Sequence, residues 1–313
     1  MSDPQVERSH RASLGVRLDG QPAWEDDRAS IDAALVALCD EHCGRLATPV
    51  GDAIRYALTG GGKRLRGLLF KAAFRTAGGH GNAAPLAAAI EIVHAYSLVH
   101  DDLPCMDDDD VRRGRPTVHR VYGVRAATVA GVAMVPIAAV AAFDGALTLG
   151  LDDLHAGRIV AELMRASGAS GMIGGQLLDL EAEGHVPDLP QLEQIHRAKT
   201  GALIRASVTA GGLAAGASEQ QVAALGAFGE AIGLAFQIAD DVLDVTATTD
   251  RLGKTAGRDL ELKKGTYPAV LGIDGATERA SALVTEGCSA LREAGLLSTE
   301  LDTLARFVIE RES

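Results

Sequence analysis

Two aspartate clusters are the groups in this 313-residue chain best placed to do chemistry, DDLPCMDDDD at 101–110 and DDVLD at 240–244. Each closes an apolar run, Ile90 to Val99 before the first and Phe236 to Ala239 before the second. In the second cluster Asp240 and Asp244 are four residues apart and stack on one helical face, with Asp241 beside them. Like charges this close repel, so a helix carries them on a solvated face or with a divalent cation among them. Pro104 disturbs the helix in the first cluster, so Asp101 and Asp102 leave one turn and Asp107 returns from a distorted segment. One acidic cluster alone suits an exposed helix as well as a metal. Two clusters leaving apolar helices favour the metal. Mg2+ prefers carboxylate oxygens and is usually shared with substrate phosphates rather than caged by protein, so the ligand implied is a phosphate or diphosphate.

Cations to complete such a site are present: GGKRLR at 61–66, RRGRP at 112–116, and Lys199, Lys254, Lys263 and Lys264. Gly60 to Gly62 can form a backbone nest opening the next helix, where amide groups and the helix dipole attract an anion. No GxxxxGK[ST] pattern occurs, so a nucleotide is not indicated. His94, one to two turns before Asp101, either donates to an anion in the same cavity or serves as a structural hydrogen-bond partner.

Helices must position these groups. Hydrophobic residues make up 47%, charged residues 23% and aromatics 4%, too apolar for a disordered chain and too poor in aromatics for a β-sandwich. A net charge of −12 argues against nucleic acid or an anionic membrane as partner. Alanine- and leucine-rich segments alternate with short Gly, Pro or Asp breaks, which predicts an all-α chain with helices at 30–45, 49–58, 64–77, 83–103, 125–149, 152–181, 189–215, 218–246, 258–272 and 275–311, the last with one break. Residues 1–28 lack apolar periodicity and read as a flexible N-terminal segment, leaving one domain over 29–313. Ala126 to Phe143 carries no charge over 18 residues, the minimum for a membrane span. Its Ala, Gly and Pro136 content favours instead a central helix buried on all sides. Four cysteines without a framework and no signal peptide imply a reduced, cytoplasmic protein, with Cys39 and Cys43 as buried free thiols.

The order of motifs GGKRLR, HAYSLVHDDLPCMDDDDVRRGRPTVH, GGQLLDL, KTGAL, FQIADDVLD and GKTAGRDLELKKGTYP resembles the trans-prenyl diphosphate synthases over about 50–273. The resemblance implies a single-domain helical bundle of isoprenoid-synthase type around a central apolar cavity, usually a homodimer. It also implies condensation of an allylic diphosphate with isopentenyl diphosphate. By this likeness Asp101, Asp102, Asp107 and Asp240 bind three Mg2+ ions, with Asp241 and Asp244 in support. Arg112, Lys199 and Lys254 hold the allylic diphosphate; Lys63, Arg66, His94 and Arg113 hold isopentenyl diphosphate; Lys264 joins the substrate-binding set. Thr200 and Gln237 stand near the developing allylic cation.

Tyr96, five residues before Asp101, is bulky where the cavity floor is expected, and with the Pro104-containing insertion it resembles bacterial farnesyl diphosphate synthases. A fifteen-carbon product is expected, with the twenty-carbon geranylgeranyl diphosphate as the alternative. One departure is Val132, where relatives usually carry Asp after the glycine. A class I terpene cyclase would show an NSE/DTE-type second motif and an inactive regulatory subunit would show an eroded site; DDVLD and GGKRLR are intact.

Overall fold

The computed structural model describes residues 22–46, 48–182, 184, 187–246 and 265–310. Helices run in the order α1 Pro22–His42, α2 Val50–Leu58, α3 Leu65–Thr76 and α4 Ala84–Asp101, followed by a two-residue antiparallel ladder of β1 Val111–Arg112 and β2 Arg115–Pro116. Then come α5 Val118–Tyr122, α6 Val124–Thr148, α7 Asp153–Ser167, α8 Met172–Glu181, α9 Leu189–His196, α10 Ala202–Ala214, α11 Glu219–Thr246, α12 Tyr267–Glu293 and α13 Thr299–Glu310. With few aromatics, the core is filled by Leu, Ile and Ala, and the alanine faces let α4 lie on α6 and α10 lie on α3 and α11. The expected all-α bundle is found.

Several boundaries differ from the sequence reading, each for a local reason. The first helix starts at Pro22 rather than near 30, because Trp24 (3% exposed) is an anchor whose ring meets Phe307 of α13 edge-on at 6.5 Å. Residues 22–28 are therefore helical, and residues 1–21 lie outside the described residues. The predicted helix 152–181 is two helices, split at Gly168–Gly171. The ladder at 111–116 is too short to leave a period-2 signal.

The charge-free stretch is not buried on all sides. Helix α6 buries a stripe of small residues, Ala127, Ala130, Gly131, Ala138 and Ala142 among them, and turns Val129, Val132 and Val140 outward at 48%, 60% and 48% exposure. By length and composition α6 and α11 would each suffice to cross a membrane, but 61% of the most apolar window of α11 lies inside the fold against 44% for α6. Helix α11 is thus a core helix, and α6 is a core helix with one uncovered apolar face.

Candidate active site

The first aspartate cluster is shaped by the end of α4. Asp101 is its last residue, and the chain through Pro104 folds back so that Asp107 N–H donates to the Asp101 carbonyl at 2.8 Å and Asp108 N–H to Leu103 at 3.1 Å. This turn returns Asp107 toward Asp101. Asp102, 3% exposed, accepts from Arg112 Nε at 2.7 Å, and Arg112 Nη2 lies 3.3 Å from Asp109. Burial pushes the Asp101 carboxyl up to about 6, with Lys199 opposing the rise and Asp107 adding to it. Such a carboxyl binds its proton more tightly folded than unfolded, so its ionised form opposes folding above pH 6 and the penalty fades as pH falls toward 4. Asp101→Asn is therefore expected to raise the stability of the metal-free protein by about 2 kcal/mol at pH 8 and by almost nothing at pH 4. Urea unfolding in EDTA at the two pH values reads this, and equal gains at both would show that charge burial is not the cause.

Facing Asp101 is a local distortion. Between α9 and α10 the helix widens into one π turn, Arg197–Gly201, which carries Lys199 and Thr200. Such insertions shift side chains around the helix axis and recur at functional sites. Helix α8 crosses here at Gly175, where a β-carbon would collide with the Lys199 backbone. The close crossing lets Asp179 of α8 accept from Lys199 Nζ at 2.6 Å. Thr200 Oγ1 donates to Gln237 Oε1 at 3.0 Å, and Gln237 Nε2 donates to Asp241 Oδ1 at 3.0 Å. The other Asp241 oxygen accepts Tyr267 N–H at 3.0 Å and lies 3.7 Å from His196 Nε2. Burial pushes His196 down to about 4, so its imidazole is neutral at pH 7 and stacks on Tyr267.

Asp241 is thus 3% exposed and part of a hydrogen-bond chain that orients Gln237 and ties the start of α12 to α11. Asp240, beside it, is half-buried. The expected metal ligands do not converge as a tight trio. Among the described residues the trio with ligand atoms within 4.8 Å of one another is Asp108, Asp110 and His119, and there Asp110 is already paired with Arg120 at 3.1 Å. The two motifs lie on different helices, so a bridge between them must reach from α4 to α11.

A second recess is lined by Arg64, Glu91, His94, Asp102, Arg112 and Arg113 among others, while Lys63 and Arg66 are not among its lining residues. Arg113 Nη1 donates to the Gly61 carbonyl at 2.6 Å, which joins the loop after the first motif to the glycine turn. Arg115 stacks on Tyr56 at 4.1 Å, and Tyr56 Oη donates to Pro116 at 2.8 Å, reinforcing the same junction. Burial, followed by the positive charge of Arg66 and Arg113, holds His94 well below the ordinary imidazole range, so its ring is neutral at pH 7. Lys63 stands 6.0 Å from the Phe307 ring.

Tyr96 is 4% exposed, donates its hydroxyl to the Ser167 carbonyl at 3.2 Å, and meets His100 edge-on at 5.6 Å. Lys254 and Lys264 lie outside the described residues. Sequence reasoning gave no role to Asp179, although GGQLLDL contains it, nor to Glu91, whose part emerges only from burial and contacts. All four cysteines are free, with Cys39, Cys43 and Cys288 buried and Cys105 exposed.

The sequence pattern of the family described as polyprenyl synthetase matches residues 48–292. A farnesyl diphosphate synthase of Escherichia coli (strain K12) is 46% identical over 271 residues, covering 84% of this chain and 90% of that enzyme. A chloroplastic geranylgeranyl pyrophosphate synthase of Catharanthus roseus is 43% identical over 262 residues, covering 82% of this chain and 72% of the other. Among solved structures, a geranyltransferase of Helicobacter pylori complexed with magnesium and isoprenyl diphosphate superposes with a TM-score of 0.77 at 30% identity, over 93% of this chain and 97% of that one.

Proposed function

The chain belongs to the polyprenyl synthetase family and is a short-chain trans-prenyl diphosphate synthase, and from that premise we propose that its product is farnesyl diphosphate, made from dimethylallyl or geranyl diphosphate and isopentenyl diphosphate. The observation that carries the fifteen-carbon reading is Tyr96, a buried ring one to two turns before Asp101 and pinned across to the end of α7. The similarity to the Escherichia coli farnesyl diphosphate synthase supports it. Product analysis with each allylic starter in turn is the test, and a twenty-carbon main product from the unaltered protein overturns it.

The buried, mutually repelling carboxylates around Asp101 fit a divalent cation, and the family is magnesium-dependent. Asp101, Asp107 and Asp240 would hold the ions, three in this reading, with Asp244 in support, while Asp102 and Asp241 orient Arg112 and Gln237. Magnesium, when bound, supplies positive charge for the leaving diphosphate. Lys199 and Arg112 bind the same group, and with Lys254 and Lys264 they favour cleavage of the allylic carbon–oxygen bond. Thr200 and Gln237 present their oxygens to the allylic cation left behind. The double bond of isopentenyl diphosphate then attacks that cation, and the departed diphosphate takes the proton whose loss forms the new alkene. No protein nucleophile takes part.

Lys63, Arg66, His94 and Arg113 hold the second diphosphate. Arg66→Ala is expected to raise the KM for isopentenyl diphosphate by roughly 10- to 100-fold with the allylic KM nearly unchanged, because a guanidinium binds phosphate oxygens as a bidentate donor. A rise in the allylic KM alone would reverse the division of the two sites. The uncovered face of α6, with Val132 in place of an acidic residue, supports a homodimer in which a second copy covers that stripe.

A further inference from the structure

Arg64 lies between the exposed Lys63 and the half-buried Arg66 and is itself buried. Its backbone is left-handed, φ 52° and ψ 31°, a region that a β-carbon disfavours, and helix α3 begins at the next residue. Its side chain, 6% exposed, points inward. Nε donates to Asp32 Oδ1 of α1 at 2.7 Å, Nη2 donates to the Leu58 carbonyl at the end of α2 at 2.9 Å, and Nη1 lies 3.9 Å from Glu91 Oε2 of α4. The other oxygen of Glu91, itself 2% exposed, accepts Gly67 N–H at 2.9 Å, the third amide of α3. A non-glycine residue stays in this conformation only where its surroundings over-determine it, and here three helices do so. Glu91 is three residues before His94 on α4, so the carboxylate that holds Arg64 shares a face with a residue of the basic recess.

We propose that Arg64, Asp32 and Glu91 form a brace that sets the GGKRLR turn so that Lys63 and Arg66 meet the second diphosphate, Arg64 being a positioning residue that acts through this turn. The proposal rests on the reading of Lys63, Arg66 and His94 as the isopentenyl diphosphate site. Helix α1 ends before residue 48, where the family match begins, so Asp32 brings into that site a residue from outside the matched region. The brace differs from a plain stabilising ion pair in one respect: its loss acts on one substrate only.

Steady-state kinetics on the full chain with Mg2+, varying each substrate in turn, test this. The Asp32 side chain is 46% exposed, so Asp32→Ala is compatible with folding. It is expected to raise the KM for isopentenyl diphosphate about tenfold while kcat and the KM for geranyl diphosphate stay within about twofold, and Asp32→Asn, which keeps an acceptor for Arg64 Nε, restores most of the loss. Arg64→Gly accommodates the left-handed turn but removes the brace, and should behave as Asp32→Ala does. Asp40→Ala, on the same helix α1 as Asp32, removes a 2.6 Å pair with Arg55 of α2; it is the control and should change neither KM. If Arg66→Ala raises the KM for isopentenyl diphosphate while Asp32→Ala or Arg64→Gly leaves it unchanged, the brace is wrong and the site stands. If Arg66→Ala has no effect on that KM, the site reading fails and the brace with it. Equal effects of Asp32→Ala on both substrates reduce the cluster to ordinary structural support and overturn the proposal.

Discussion

Replacing Asp101 by alanine is expected to lower kcat at least roughly 100-fold, and chelation with EDTA is expected to stop condensation until Mg2+ is restored. The expectation follows from where Asp101 lies. It ends α4 beside Asp107, in the field of Lys199, and burial has already pushed its carboxyl up to about 6. A charge kept at that cost to the fold is there to meet another charge. Ionisation of the allylic substrate places developing negative charge on a diphosphate, and cations that Asp101 and Asp240 would hold supply the positive charge to meet it. Asp240→Ala should match Asp101→Ala, since in the proposed reading each removes a carboxylate that would hold a cation, one on α4 and one on α11. Asp241→Asn should fall well short of both, because Asp241 serves Gln237 and the Tyr267 amide. A near-wild-type rate for Asp101→Ala or Asp240→Ala, or full condensation in EDTA, would remove the metal site from this position.

The bundle was legible because its helices rest on long periodic segments; the range 189–215, for example, needed no tertiary information. The π turn inside it was not legible, because one extra residue per turn leaves the apolar pattern almost unchanged while moving Lys199 and Thr200 around the axis. The candidate ligands were legible as residue types, but their partners were not. Asp102 and Asp241 look like Asp101 and Asp240 in the sequence, and only the approach of Arg112, Gln237 and the start of α12 separates their surroundings. For Arg64 the neighbouring residues gave no hint of a left-handed backbone, since that conformation is imposed by Asp32 and Glu91 from 32 residues before and 27 residues after it. The outward face of α6 leaves no mark in the sequence for a related reason: an uncharged helix reads as enclosed whether or not both its faces are covered.

Tyr96→Ala is expected to move the main product from fifteen carbons to twenty or more when isopentenyl diphosphate is in excess. In the proposed reading the growing prenyl tail runs from the aspartates along α4, and the first bulky side chain on that path, Tyr96, would end growth. Tyr96 is held by two partners. Its hydroxyl donates to Ser167 at 3.2 Å, its ring meets His100 at 5.6 Å, and His100 Nε2 in turn donates to the Thr128 carbonyl of α6 at 3.2 Å. Gly131 permits that arrangement, since a β-carbon there would collide with the His100 ring. Earlier on the same face of α4 lie Ile92, Val93 and Ala89, all fully buried and apolar, so the space opened by removing the ring has apolar side chains next to it along the helix. The truncation should lower stability by about 3–5 kcal/mol, as for other buried aromatic-to-alanine changes. Tyr96→Phe separates the ring from its hydrogen bond: it keeps the barrier, should cost about 1 kcal/mol, and should leave the product at fifteen carbons. Mass spectrometry of the products, with circular dichroism to establish folding, decides between these outcomes. A folded, active Tyr96→Ala protein that still stops at fifteen carbons places the floor elsewhere, and a lengthened product from Tyr96→Phe would mean that the anchor at Ser167, more than the bulk of the ring, sets the stop.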